Sequence, residues 1–321
     1  MATISRWVFF GTPELAVPTL AALVAAGRRP LRVVSQPARP VGRGQEVQDP
    51  PVARWARAQG LIVLQPERVK EEAFLAELEA LELDLAVVVA FGQIFPRRLL
   101  ALPRLGCVNL HASLLPRYRG AAPIQAAIAA GDAVTGVTTM RMQWELDAGP
   151  ILLEREVAIG PEETAGELGS RLARVGAELM VETIERLERG DLTPRPQEEG
   201  AATFAPRLDK EDGRVSWSLG AGELYNRLRA YTPWPGLTAE LAGRPLKLVW
   251  ARPTGASAEG TVAGTVLGID GDGIQVACGD GSVLLLEKLQ RPGKAVLAAG
   301  DFARGEHLRV GQRLGSQGAP P

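Results

Sequence analysis

Short unbroken apolar runs alternate with amphipathic stretches through the first 190 residues of the chain. Trp7-Val8-Phe9-Phe10 and Leu85-Ala86-Val87-Val88-Val89-Ala90 are continuous apolar runs, and residues 31–35 and 61–64 read as further short strands. The continuous runs read as strands buried on both faces, as in a parallel sheet flanked by helices. Helical spacing between them predicts helices at 52–59, stopped by Gly60, and near 71–81. After the first strand, Gly11-Thr12-Pro13-Glu14 offers Thr12 as a cap and Pro13 as a first helical residue. Further strands are predicted at 107–111, 134–142 and 151–157, with a helix at 122–130. Thr164 and Glu167 form a capping box ahead of a long helix, whose Leu168, Leu172, Val175, Leu179, Ile184 and Leu187 recur at helical spacing until Gly190. This alternation predicts a doubly wound, mostly parallel, Rossmann-like α/β sheet.

The texture changes after residue 190. Residues 191–208 are polar, carry three prolines and show no period, as expected of an interdomain linker. A helix at 221–230 and the turn Tyr231-Thr232-Pro233-Trp234-Pro235-Gly236 follow. Short strands are then predicted at 237–241, 246–251, 265–269, 274–278 and 282–289, with hairpin signals at Gly271-Asp272-Gly273 and Gly279-Asp280-Gly281. Strands of this number and length predict a small closed barrel of OB type. The expected organisation is an α/β domain over 1–189, a linker over 190–208, a barrel domain over 209–315 and a disordered tail over 316–321. A chain of 321 residues is long enough for two cores, since domains hold about 100–200 residues each.

Composition narrows the classes without choosing among them. Hydrophobic residues make up 46% of the chain and the mean hydropathy is +0.02, as in globular proteins. No run approaches the ~18–20 uncharged apolar residues of a membrane span, and residues 1–6 lack the apolar region of a signal peptide, so a cytoplasmic place is expected. A monomer is expected. Cys107 and Cys278, far apart and inside predicted strands, read as buried free thiols. Residues 1–189 carry 21 basic and 22 acidic side chains, and residues 209–321 carry 13 and 12. Neither half is basic, so any contact with nucleic acid must rest on local clusters. One such cluster lies in residues 36–51, where Arg39 and Arg43 sit among four prolines and two glycines. A connection of this length is either functional or a disordered insertion.

The candidate chemistry centres on Cys107-Val108-Asn109-Leu110-His111, where alternation puts Asn109 and His111 on one side of a strand that then gives way to a loop. The carboxyl edge of an α/β sheet is the usual place for a ligand crevice. An amide and an imidazole there can hydrogen-bond a carbonyl oxygen as it becomes an oxyanion. Asp147, in the turn-forming loop 143–150, can fix the imidazole or accept a proton from an attacking amine. The pattern points to acyl-type transfer without a protein nucleophile. The residues alone leave other readings open. His111 can be a satisfied structural histidine and Asp147 a turn residue. Ser113 can be a nucleophile, although no G-x-S-x-G elbow surrounds it. Cys107, His111 and Asp147 can be zinc ligands, without the usual paired spacing. A dinucleotide site lacks the later glycines of G-x-G-x-x-G after Gly11.

The run Asn109-Leu110-His111-Ala112-Ser113-Leu114-Leu115-Pro116, continued by Arg117-Tyr118-Arg119-Gly120-Ala121-Ala122-Pro123-Ile124-Gln125, resembles the signature of the 10-formyltetrahydrofolate-dependent formyltransferases. Phe10-Gly11-Thr12-Pro13, Gln36-Pro37, Gly42-Arg43-Gly44, Ala90-Phe91-Gly92-Gln93-Ile94 and Leu146-Asp147-Ala148-Gly149 extend the likeness. Thr203-Phe204-Ala205-Pro206, Gly213-Arg214-Val215-Ser216-Trp217 and Pro233-Trp234-Pro235-Gly236 carry it to the second domain, as in the branch that formylates initiator methionyl-tRNA. The resemblance implies a catalytic set of Asn109, His111 and Asp147, with no metal. It implies that Phe91, Gly92, Gln93, Ile94, Ser113, Leu114, Leu115, Pro116, Met142 and Gln143 surround 10-formyltetrahydrofolate, and that Arg39 and Arg43 meet the acceptor end of the tRNA. The chain departs from the pattern at Gln45-Glu46, where a basic pair is common, at Leu15, and at Gln143-Trp144. Two rival expectations are a formyltransferase acting on a small amine such as an amino sugar or glycinamide ribonucleotide, and a non-catalytic RNA-binding protein.

Overall fold

A computed structural model describes residues 3–41 and 46–316. The chain divides into two compact units. Met1–Pro123, Val134–Ala158 and Gly169–Pro206 make the first; Ile124–Ala133, Ile159–Leu168 and Arg207–Pro321 make the second. Among the described residues no helix is long and apolar enough to cross a membrane.

The chain runs through β1 (Trp7–Gly11), α1 (Val17–Ala25), β2 (Arg32–Val34), β3 (Arg39–Val41), β4 (Glu46–Gln48), α2 (Pro51–Ala58), β5 (Val63–Leu64), α3 (Glu72–Glu79) and β6 (Leu85–Val89). It continues through α4 (Arg97–Ala101), β7 (Cys107–His111), β8 (Arg119–Gly120), α5 (Pro123–Ala129), β9 (Val134–Arg141), β10 (Ile151–Ala158), α6 (Ala165–Arg189) and β11 (Phe204–Ala205). Among the described residues the main sheet has seven strands in the order β10-β9-β7-β6-β1-β2-β5. Pairing is parallel from β5 to β7 and antiparallel at β9 and β10. Every residue of β1 and β6 is buried, as their unbroken apolar runs require. Val8, Phe10, Val34, Phe74, Leu78 and Val88 form the heart of one core cluster. The capping box is formed at the start of α6: the Thr164 N–H donates to Glu167 Oε2 at 2.9 Å, and the Glu167 N–H donates to Thr164 Oγ1 at 3.4 Å.

Four features of this unit depart from the sequence pattern. Thr12 does not cap a helix: its hydroxyl donates to the Phe91 carbonyl at 2.9 Å and accepts from the Gln36 N–H at 3.4 Å, tying together the ends of β1, β2 and β6. A short turn of 3₁₀ helix, Glu14–Ala16, precedes α1 instead. Residues 36–51 contain the antiparallel pair β3 and β4, with Arg39 opposite Gln48, while Arg43 and Gln45 lie outside the described residues. Helix α4, only five residues long, is too short to show a period. The polar stretch after Gly190 is bound to the first unit through Pro206: Arg195 bridges to Ile151, and β11 pairs in parallel with β8.

The second unit contains α7 (Ala221–Ala230), β12 (Leu237–Leu241), β13 (Arg244–Ser257), β14 (Val266–Ile269), β15 (Ile274–Ala277), β16 (Ser282–Gln290), β17 (Val296–Ala298), α8 (Ala299–Glu306) and β18 (Gly315–Ser316). Its antiparallel sheet runs β14-β15-β16-β13-β12-β18, with β17 on β16. Residues 311–316 join its two edges: Gly311 and Gln312 exchange backbone hydrogen bonds with Val266 at 2.8 Å, and β18 pairs with β12. The sheet thereby closes into the expected barrel around Leu246, Leu248, Val276, Leu284, Leu286 and Phe302. Helix α8 is not visible in the pattern because Gly300 and Gly305 interrupt its period. Ser316, expected in a disordered tail, pairs with Ala239, and residues 317–321 lie outside the described residues.

Candidate active site

Strand β7 is held between β6 and β9, with Asn109 opposite Val88 and Met140, so the sheet fixes its side-chain directions. Period-2 geometry puts Cys107, Asn109 and His111 on one face. His111 is 6% exposed, and its Nε2 lies 2.9 Å from the Tyr118 carbonyl. A carbonyl only accepts, so this contact assigns the proton to Nε2 and turns Nδ1 toward Asp147, whose Oδ2 is 3.7 Å away. The same Oδ2 accepts from the Gly120 N–H at 2.8 Å. Asn109 is half-buried, and among the described residues its carboxamide has no hydrogen-bond partner. The face therefore presents an unspent amide donor together with an imidazole whose Nδ1 faces a carboxylate 3.7 Å away.

Asp147 reaches this place because its loop folds back on β9. Its own φ is +49°. A Cβ at Gly149 would run into the Arg141 carbonyl, so only glycine permits the return. The Gln197 side chain fastens the loop, with Nε2 donating to the Asp147 and Gly149 carbonyls at 2.7 Å each.

Val88, opposite Asn109 in the sheet, belongs to a buried apolar cluster. Phe91, Phe95, Leu99 and Cys107 belong to one buried cluster, Met142 packs against it, and the Met142 N–H donates to the Cys107 carbonyl at 2.8 Å. Phe10, Phe91 and Phe95 interlock, with ring centroids 4.8–6.0 Å apart. Such a buried wall lowers the local dielectric, which strengthens hydrogen bonds to developing charge.

Two family models match the chain one after the other. Residues 6–184 match the formyl transferase model, and residues 207–307 match that of the formyl transferase C-terminal domain. The methionyl-tRNA formyltransferase of Citrifermentans bemidjiense is 47% identical over 314 residues, 98% of each chain. That of Acidobacterium capsulatum is 49% identical over 97% of this chain and 100% of its own. The chain belongs to the methionyl-tRNA formyltransferase family. Its fold is similar to that of HypX from Aquifex aeolicus, solved in complex with tetrahydrofolic acid, with a TM-score of 0.64 at 18% identity over 96% of this chain and 48% of that one. It is also similar to WlaRD, a sugar 3N-formyl transferase, with a TM-score of 0.65 at 15% identity over 92% and 100%.

The other residues singled out in the sequence fall as follows. Gly92 is exposed at φ +86°, Ile94 is 83% exposed, and Gln93 is tied down, its Oε1 accepting from the Val69 N–H at 3.0 Å. Ser113 is fully buried and its hydroxyl donates to the Arg117 carbonyl at 2.6 Å, so it shapes the loop and presents no nucleophile. Leu114, Leu115 and Pro116 border a cleft of about 680 Å³ whose other wall includes Ile151, Glu154 and Gln197. Gln143 is exposed. The neighbouring Trp144 has the Arg97 guanidinium over its ring at 5.1 Å, which accounts for an aromatic residue in that loop. Arg39 is exposed and lies 3.8 Å from Glu67. Gly11 serves packing: a Cβ there would lie 2.6 Å from Phe9 Cε1 and 3.1 Å from the Val89 carbonyl.

Cys107 Sγ is directed at the Leu99 carbonyl, 3.9 Å away, so the grouping of Cys107 with His111 and Asp147 is not assembled as a ligand set. Burial pushes its thiol up to about 12, and burial pushes Cys278 up to about 11. Thiolate is the reactive form. The native protein at pH 8 is therefore expected to be inert to an aromatic disulfide reagent, and to titrate both cysteines once denatured. Rapid reaction of Cys107 in the native state would show that the apolar wall is open to water.

Proposed function

We propose that the chain transfers the formyl group of 10-formyltetrahydrofolate to the α-amine of methionine on initiator methionyl-tRNA. The observation that carries the reading is that Asn109 and His111 share one face of β7 with Asp147 Oδ2 3.7 Å from the imidazole, the Asn109 carboxamide being unpaired among the described residues. Relatives of nearly the same length that bear this activity in their names supply the acceptor.

The folate, when bound, supplies the formyl carbon. Phe91, Phe95, Leu99, Cys107 and Met142 form the apolar wall for its ring system, while Gly92, Gln93, Ile94, Ser113, Leu114, Leu115, Pro116 and Gln143 belong to the loops around it. Asn109 donates an N–H to the formyl oxygen, where negative charge collects as the amine attacks. His111 Nδ1 and Asp147 Oδ2 take up the proton that the amine loses, with the ring held by the Tyr118 carbonyl, and return it to the folate nitrogen as the bond from that nitrogen to the formyl carbon breaks and tetrahydrofolate leaves. Arg39, exposed on β3, and Arg43 provide cations for the phosphates at the acceptor end.

The test gives the full-length protein labelled 10-formyltetrahydrofolate together with either charged initiator tRNA or an amino sugar nucleotide. Formylated methionyl-tRNA is the expected product. Turnover of the small amine with none of the charged tRNA overturns the acceptor. Tight tRNA binding without folate binding or product would make the chain a non-catalytic RNA-binding protein.

A further inference from the structure

We infer that Gln197 is a positioning residue for the reaction, holding the Asp147 loop in register with His111; the inference rests on the function proposed above. Asp147 adopts a left-handed φ of +49°, a conformation that a non-glycine residue keeps where its surroundings impose it. Both N–H groups of Gln197 are aimed at carbonyls of that loop, those of Asp147 and Gly149, each at 2.7 Å. Its Oε1 accepts from Arg119 Nε at 3.0 Å and from Arg119 Nη2 at 2.9 Å. A guanidinium has no acceptor, so Arg119, 4% exposed, fixes which end of the amide faces the loop. Arg119 is held in turn by Glu199 at 2.8 Å.

The same segment also supports the histidine. Thr203 Oγ1 accepts from the Tyr118 N–H at 2.8 Å, and the Tyr118 carbonyl is the group that receives His111 Nε2. Residues 197–205 thus strap both partners of the proton-accepting pair: the loop that carries Asp147, and the turn that orients His111. Loss of the strap lets the carboxylate drift from the ring, and displacements of about 1 Å at such a site lower turnover about 100-fold.

Gln197→Glu keeps the oxygen that Arg119 requires and replaces both donors with an oxygen facing two carbonyls. Gln197→Met keeps the bulk and removes both functions. In each variant kcat is expected to fall by about 10- to 100-fold, while the KM values for 10-formyltetrahydrofolate and methionyl-tRNA stay near wild type. Amide exchange at Gly120, whose N–H donates to Asp147, is expected to quicken about tenfold as the loop loosens. A structural role alone would lower the melting temperature of both variants and leave kcat per folded molecule and Gly120 exchange unchanged; that result overturns the inference. Should Gln197→Glu fail to fold, Gln197→Met decides. The exchange is read without substrate, so a wild type that uses another acceptor strikes the proposed function, whereas unchanged exchange strikes Gln197 alone.

Discussion

Replacing Asp147 by Asn is expected to lower kcat about 1,000-fold, within the range for removing a positioned acid–base group, with the KM for 10-formyltetrahydrofolate little changed. The substitution is close to isosteric, and Asn tolerates the left-handed φ of +49° at least as well as Asp does, so the loop conformation is retained. The amide oxygen can still accept from the Gly120 N–H, as Oδ2 does at 2.8 Å. What disappears is the negative charge that faces His111 Nδ1 at 3.7 Å. The other ring nitrogen is committed to the Tyr118 carbonyl, so His111 cannot compensate by turning. The amine's proton then has no charged destination at the moment of attack. Steady-state kinetics with charged initiator tRNA, beside matched melting curves, checks this. A variant within tenfold of wild-type kcat would remove Asp147 from the proton-accepting pair.

Part of the first unit is legible because β1 and β6 are buried on both faces and are apolar throughout. Residues 85–89 are wholly buried, and their unbroken apolar run is enough to identify them. Alternation along β7 is likewise enough to put Asn109 and His111 on one face. The pairing of Asp147 with them does not follow from spacing, because it depends on a loop returning across β9; its chemistry makes it a candidate and the resemblance assigns it. The single local trace of that return is Gly149, one glycine among many. Gln197 and Arg119 leave no trace: a polar, proline-bearing stretch looks the same whether it hangs free or is bound through side-chain amides to a partner 78 residues away. Thr12 shows the reverse failure. Its position suggests a local cap, and a long-range acceptor, the Phe91 carbonyl, takes the hydroxyl instead.

Replacing Asn109 by Ala is expected to cost about 100- to 1,000-fold in kcat, as removal of one preorganised oxyanion donor does. The side chain sits in the middle of a five-residue strand bonded on both sides, so its direction is set by the sheet before any substrate arrives. Its carboxamide has no protein partner among the described residues, and truncation therefore leaves no buried group orphaned and the melting temperature near wild type. The apolar wall of Phe91, Phe95, Leu99, Cys107 and Met142 makes the missing hydrogen bond matter more than it would in water. The donor is needed most when the formyl oxygen carries charge and least when it is a neutral carbonyl. The loss should consequently appear in kcat and in kcat/KM alike, with KM for the folate unmoved. A variant that instead raises KM at constant kcat would recast Asn109 as a binding residue and return the search for the oxyanion donor to the backbone amides of the loops that follow β6 and β7.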